Sequence, residues 1–126
     1  MTISEHEACI TEDEGEIKKY QEWIKRLYAA QKDIKSNKDL FLDYRGNIET
    51  EYSTDTGFKG DVRQRHEDNE ISRAKKNHDD AESKCATAIR QITAKIVFFN
   101  GEIGQLNNSI THHRSRIEAH KREGRD

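Results

Sequence analysis

Isoleucine returns at every seventh position in the second half of the chain, at Ile89, Ile96, Ile103, Ile110 and Ile117. A second heptad series interleaves with it: Cys85, Ile92, Phe99, Leu106 and His113. Nine of these ten positions are apolar or Cys. A seam sustained over more than three heptads predicts one long helix whose apolar stripe is covered by another helix. There is no proline anywhere to interrupt such a helix. Upstream, Ile71, Ala74, His78 and Ala81 continue the face with smaller residues. Asn100-Gly101 and Gly104 are the soft point, because each glycine costs a helix about 1 kcal/mol relative to Ala. The heptad crosses them without a phase change, so a continuous helix is expected. The alternative is a break there, with 102–122 folding back as a third helix.

The first half carries a weaker version of the same pattern. Ile17, Tyr20, Ile24, Leu27, Ile34, Phe41 and Ile48 follow steps of three, four and seven. Gln31, Lys38 and Arg45 turn one heptad series polar, while Tyr28, Leu40, Leu42 and Tyr44 widen the stripe. Trp23 sits beside it. This predicts an amphipathic helix with a broad apolar face. The spacing lapses over 49–60, where Ser, Thr, Asp and Gly cluster and Asp55, Thr56, Gly57 and Gly60 favour a turn. The predicted fold is all-α, a long antiparallel helical hairpin with coiled-coil-type packing. Its parts are a flexible acidic tail at 1–13, a helix at 14–51, a turn at 52–60, a helix at 61–122, and a flexible end at 123–126.

Composition agrees with that economy. Hydrophobic residues make up 32% of the 126 positions and charged residues 37%, where globular domains average about 45–50% apolar. A compact α/β enzyme with a large buried sheet is hard to build from this mixture. No segment approaches the roughly 20 apolar residues of a membrane span, so no membrane span is expected. Met1 to Glu16 holds no Lys or Arg and no apolar run, so a signal peptide is not expected either. A net charge of −2 argues against nucleic acid as the partner. Charge is nevertheless uneven along the chain. Residues 1–16 hold six acids and no Lys or Arg, while 112–126 hold five Lys or Arg against three acids. The two ends attract if they meet.

Geometry sharpens the expectation. A hairpin folded near about residue 56 pairs Leu27 with Ala86 and Ile17 with Ile96, and its helices run about 57 and 90 Å. The second helix then outruns the first by about 20 residues. Its overhang holds Ile103, Leu106, Ile110 and Ile117. An uncovered stripe of that kind marks an interaction site. The predicted partner-binding residues are therefore Ile89, Ile92, Ile96, Phe99, Ile103, Leu106, Ile110 and Ile117.

No catalytic motif, phosphate loop or zinc-ligand spacing is present, so no enzyme, cofactor or metal is expected. His113 and His120 stand about 10.5 Å apart along a helix, too far for one ion. His78, His113 and His120 instead read as polar interruptions of the seam that make the interface pH-sensitive. Cys85 reads as a small core residue and Cys9 as an exposed thiol.

Phe58-Lys59-Gly60, just ahead of Asp61-Val62-Arg63, is similar to the Trp-x-Gly turn of WXG-type proteins, with Phe in place of Trp. Over roughly residues 14–120 the chain also resembles the small α-helical proteins encoded beside LXG toxins in Gram-positive bacteria. The shared features are a Lys/Glu-rich first helix, the aromatic-x-Gly turn and the Ile-rich end of the second helix. The resemblance implies a role in type VIIb secretion. Such a protein binds the N-terminal helical domain of an LXG toxin, often with a second small helical protein, and acts as chaperone and targeting factor before export. Phe58 and Gly60 are the turn residues it carries over. The export motif of WXG-type proteins, aromatic-x-x-x-acidic, has its nearest match at Phe98 and Glu102. Here it lies within the helix rather than just beyond it, which leaves the source of the signal open between this chain and a partner.

The function expected is thus a helical accessory or chaperone-type targeting factor, working in the cytoplasm or exported together with its toxin. A self-assembling structural coiled coil of phage or cytoskeletal type, a homodimer included, is the alternative.

Overall fold

The computed structural model describes residues 1–54 and 61–124, with side chains over 1–40, 42–43 and 68–124. It is an all-α helical hairpin of two helices, α1 (Ile3–Thr54) and α2 (Asp61–Arg122). The start and end of α2 coincide with the span expected from its heptads. The helix runs unbroken through Asn100, Gly101 and Gly104, which removes the fold-back alternative. It ends where Gly124 takes a φ of 70° and donates its N–H to the Lys121 carbonyl at 3.2 Å. That left-handed conformation suits glycine and closes the helix.

The first helix differs from expectation at its start. Residues 3–13 are not a flexible tail but the opening turns of α1. Thr2 Oγ1 accepts the Glu5 N–H at 3.1 Å, and the His6 N–H bonds the Thr2 carbonyl at 3.0 Å. Thr2 and Glu5 thus have the T-x-x-E spacing of a capping box. Glu5 also places a negative charge in the first turn, where the helix dipole favours it. Behind the cap, Ile3 and Ile10 extend the series of Ile17 and Ile24 backward in strict sevens. At its other end α1 continues to Thr54, so 52–54 belong to the helix. The remainder of the expected turn, including Phe58 and Gly60, lies outside the described residues.

The chain divides into two compact units, Met1–Ala29 with Ile92–Asp126, and Ala30–Gln91. In the first, the segments of α1 and α2 lie antiparallel. His6 meets His113 and His120, and Tyr20 meets Phe99. The expected pairing of Ile17 with Ile96 is therefore wrong in register. Ile17 instead shares a cleft of about 290 Å³ with Asn107 and Ile110. That pairing is counted from a turn centred near residue 56, and the His6–His113 and Tyr20–Phe99 contacts move it by about six residues along α2; separately, the earlier start of α1 fills the space opposite the end of α2. The core of this unit is Ile96, Phe99, Ile110 and Ile117, with His6 and His120 buried beside them.

In the second unit, α1 and α2 line a cleft of about 500 Å³. Leu42, Ala86 and Ile89 supply its apolar lining, and Lys35, Lys38, Glu82 and Arg90 are among the charged residues around it.

Candidate helix-binding surfaces and a histidine cluster

The eight predicted partner-binding residues separate into two groups. Ile96, Phe99, Ile110 and Ile117 are buried within the chain's own hairpin. Ile110 and Ile117 correct the expectation of an overhang uncovered throughout, because α1 begins at Ile3 and both are buried. Ile89, Ile92, Ile103 and Leu106 are only half-buried, and Ile89 reaches the open cleft of the second unit.

The first unit has an aromatic surface that the seam did not mark. Phe99 is the pivot. Tyr20 and Trp23 lie 5.2 and 5.4 Å from its ring centroid, and Phe98 lies 5.8 Å away. Tyr20 and Trp23 also meet edge to face at 5.5 Å. Such geometries are favoured by the ring quadrupoles. Phe99 is buried, yet Trp23 is 43% exposed, Phe98 54% and the adjacent Val97 65%. Lys95 holds its Nζ 5.3 Å from Phe98 and 5.2 Å from Phe99, within cation–π range. Exposure of Phe98 follows from the heptad: it stands next to a seam position, so helical rotation turns it outward. Trp23 stands between the seam residues Tyr20 and Ile24 and lies at the edge of the stripe for the same reason. Glu102, the acidic half of the expected export motif, is half-buried one turn beyond Phe98 in continuous helix.

At the far end of the same unit, polar seam positions of both helices collect. The Nδ1 atoms of His6 and His113 are 2.8 Å apart, although 107 residues separate them in sequence. Their ring centroids are 5.0 Å apart, and His120 stands edge-on to His6 at 5.5 Å. His112 flanks His113 at 5.6 Å. His6 is 4% exposed, and His120 Nδ1 is buried with no hydrogen-bond partner among the described residues. Burial lowers the pKa of His6 below its usual 6.5, and the charges of His113, His120, the amino terminus and Arg116 lower it further. His6 was missed in the sequence because it stood in the segment read as a tail. Its place one heptad before Asp13 and two before Tyr20 is the signal the sequence offers.

Among the described residues no group of three His, Cys, Asp or Glu side chains is placed to hold a metal ion. Cys85 is half-buried, and so is Cys9, which was expected to be exposed. The oppositely charged ends do meet: Arg114 Nη2 lies 3.6 Å from Glu14 Oε1, with both side chains largely exposed. No described helix is long and apolar enough to cross a membrane.

No protein-family model matches the chain, and no curated protein or solved structure is significantly similar to it.

Proposed function

We propose that this chain is a helix-binding accessory protein that holds the N-terminal helical domain of an LXG-type toxin for type VIIb secretion, together with a second small helical protein. The observation that carries the reading is the aromatic surface around Phe99. Trp23, Val97 and Phe98 are exposed together beside the buried Phe99, whereas the other exposed large apolar side chains, Met1, Tyr28, Leu40 and Leu42, stand outside this ring cluster. Exposed aromatics backed by a buried one are the composition of an interface centre, where Trp and Phe anchor and charged residues form the rim.

No large side chain among the described residues is fully enclosed, which suits a protein completed by a partner helix. The toxin as partner rests on the resemblance of the turn, the Lys/Glu-rich first helix and the Ile-rich second helix to LXG-associated proteins.

Co-expression with an LXG-domain segment encoded beside this chain, followed by light scattering on the purified species, tests the proposal. A heteromeric complex that Phe98→Asp dissolves while the chain alone stays helical is the expected result. Absence of a complex, with a stable homo-oligomer at low micromolar concentration, would turn the assignment to the self-assembling coiled coil.

A further inference from the structure

We propose that His6, His113 and His120 form a proton-operated latch that closes the end of the hairpin when neutral and opens it when protonated. The geometry dictates the logic. A hydrogen bond between two Nδ1 atoms at 2.8 Å requires one ring to donate and the other to accept. Once both rings are imidazolium, both nitrogens are donors and the bond is lost. His120 stands against His6 on its other contact, so a charge on any of the three is felt by the others.

Among the described residues, the groups that act on His6 offer no compensation. α2 presents His113, His120 and Arg116 to His6, and α1 presents the amino terminus. Every one of these groups is neutral or positive. Burial of His6 removes the water that would otherwise solvate its charge. An imidazolium at this position therefore has no counter-ion among the described residues and little solvent while the end is closed, and gains water when the end opens.

The sign follows from the direction of the shift. His6 has a lowered pKa in the folded chain, so the open form binds more protons. The stabilisation of the closed end is complete above about pH 6.5. It is lost as pH falls through that value toward the folded pKa. Per proton taken up, the opening equilibrium grows by up to about ten-fold for each pH unit in that window.

What the latch covers is apolar. Ile117 lies on the same face of α2 as His113 and His120, four residues from one and three from the other, and it is buried. Opening the first turns of α1 bares Ile117, while the Tyr20–Phe99 contact holds the hairpin together further along. The latch thus exposes part of the Ile heptad without unfolding the chain.

Hydrogen exchange followed by mass spectrometry on the full chain, with a chelator present, tests this directly. After correction for intrinsic rates, protection of 3–10 and 113–122 is expected to fall about ten-fold between about pH 7.5 and 5.5. Protection of 17–24 and 96–103 is expected to hold. In His6→Leu/His113→Leu/His120→Leu the pH dependence at the ends is expected to vanish. An unchanged wild-type end, an equal loss at 17–24, or a pH dependence that survives the triple substitution overturns the latch. Should the triple variant not fold, ring titration of the wild-type histidines by NMR decides. A His6 midpoint below 6.5 supports the latch and one at or above it overturns it.

Discussion

The rings of Tyr20 and Phe99 lie 5.2 Å apart at an angle of 37°, and Trp23 joins them from the next turn of α1. This contact ties α1 to α2 in the middle of the first unit. Phe99→Ala should therefore cost about 3–5 kcal/mol, the usual range for emptying a buried phenylalanine site. Phe98→Ala, one residue away but 54% exposed, should change stability by no more than about 0.5 kcal/mol. Urea denaturation of both variants checks the contrast. Trp23 is the single tryptophan, so its fluorescence reports the Phe99 pocket without labelling. A shift of its emission in the folded Phe99→Ala protein, and little in an Ile117→Val protein, is the accompanying expectation.

The heptad itself makes a graded prediction. Ile110 is buried and Ile103 only half-buried, although both hold the same heptad position. Ile110→Ala should cost about 2–5 kcal/mol, and Ile103→Ala distinctly less, because water already reaches its side chain. Equal losses would mean that a partner or a second copy covers Ile103 in solution. Thermal melts at two protein concentrations separate these outcomes, since only the second depends on concentration.

Most of the fold was legible because α2 obeys one rule throughout. Its series of Ile89, Ile96, Ile103, Ile110 and Ile117 fixes a helix and a face, and the observed span matches the expected one. The start of α1 was not legible by the same rule. Ile3 and Ile10 keep the heptad, but His6 and Asp13 occupy the companion positions, and polar residues there look like the end of a stripe. Only the opposing helix explains them: His6 is at home on a seam because His113 and His120 stand across from it. The expected overhang has the same origin, since a helix begun eleven residues late leaves the end of α2 bare, whereas the register error comes from counting the pairing from a turn centred near residue 56. The aromatic surface was half visible. Trp23 and Phe98 could be placed beside the stripe, but their common neighbour Phe99 required knowing which turns of the two helices face each other.

Three glycines in the described helices, Gly15, Gly101 and Gly104, are candidates for gain. A Cβ built on Gly15, Gly101 or Gly104 meets nothing within 4 Å, and none of the three has a positive φ. Each lies inside continuous helix, where Ala is better by up to about 1 kcal/mol. Gly101→Ala and Gly104→Ala should each raise the melting temperature, and together they should add, because neither touches a shared partner. A combined variant that is less stable than the parent would show that α2 bends at this point in solution.

Asp13 is the last polar seam residue, and it argues for a different substitution. Its Oδ2 is buried and has no hydrogen-bond partner among the described residues. A carboxylate oxygen withdrawn from water without a partner costs about 1–3 kcal/mol. The position continues the series of Tyr20 and Leu27, where a leucine would extend the apolar stripe between Ile10 and Ile17. Asp13→Leu should therefore stabilise the chain by about 1–2 kcal/mol at neutral pH. Asp13→Asn keeps a buried polar group and should recover little of that gain. Chemical denaturation of the two variants beside the parent measures the difference. If Asn stabilised as much as Leu, the cause would be relief of charge in the acidic first turns, where Glu12, Glu14 and Glu16 crowd Asp13, and not release of a stranded oxygen.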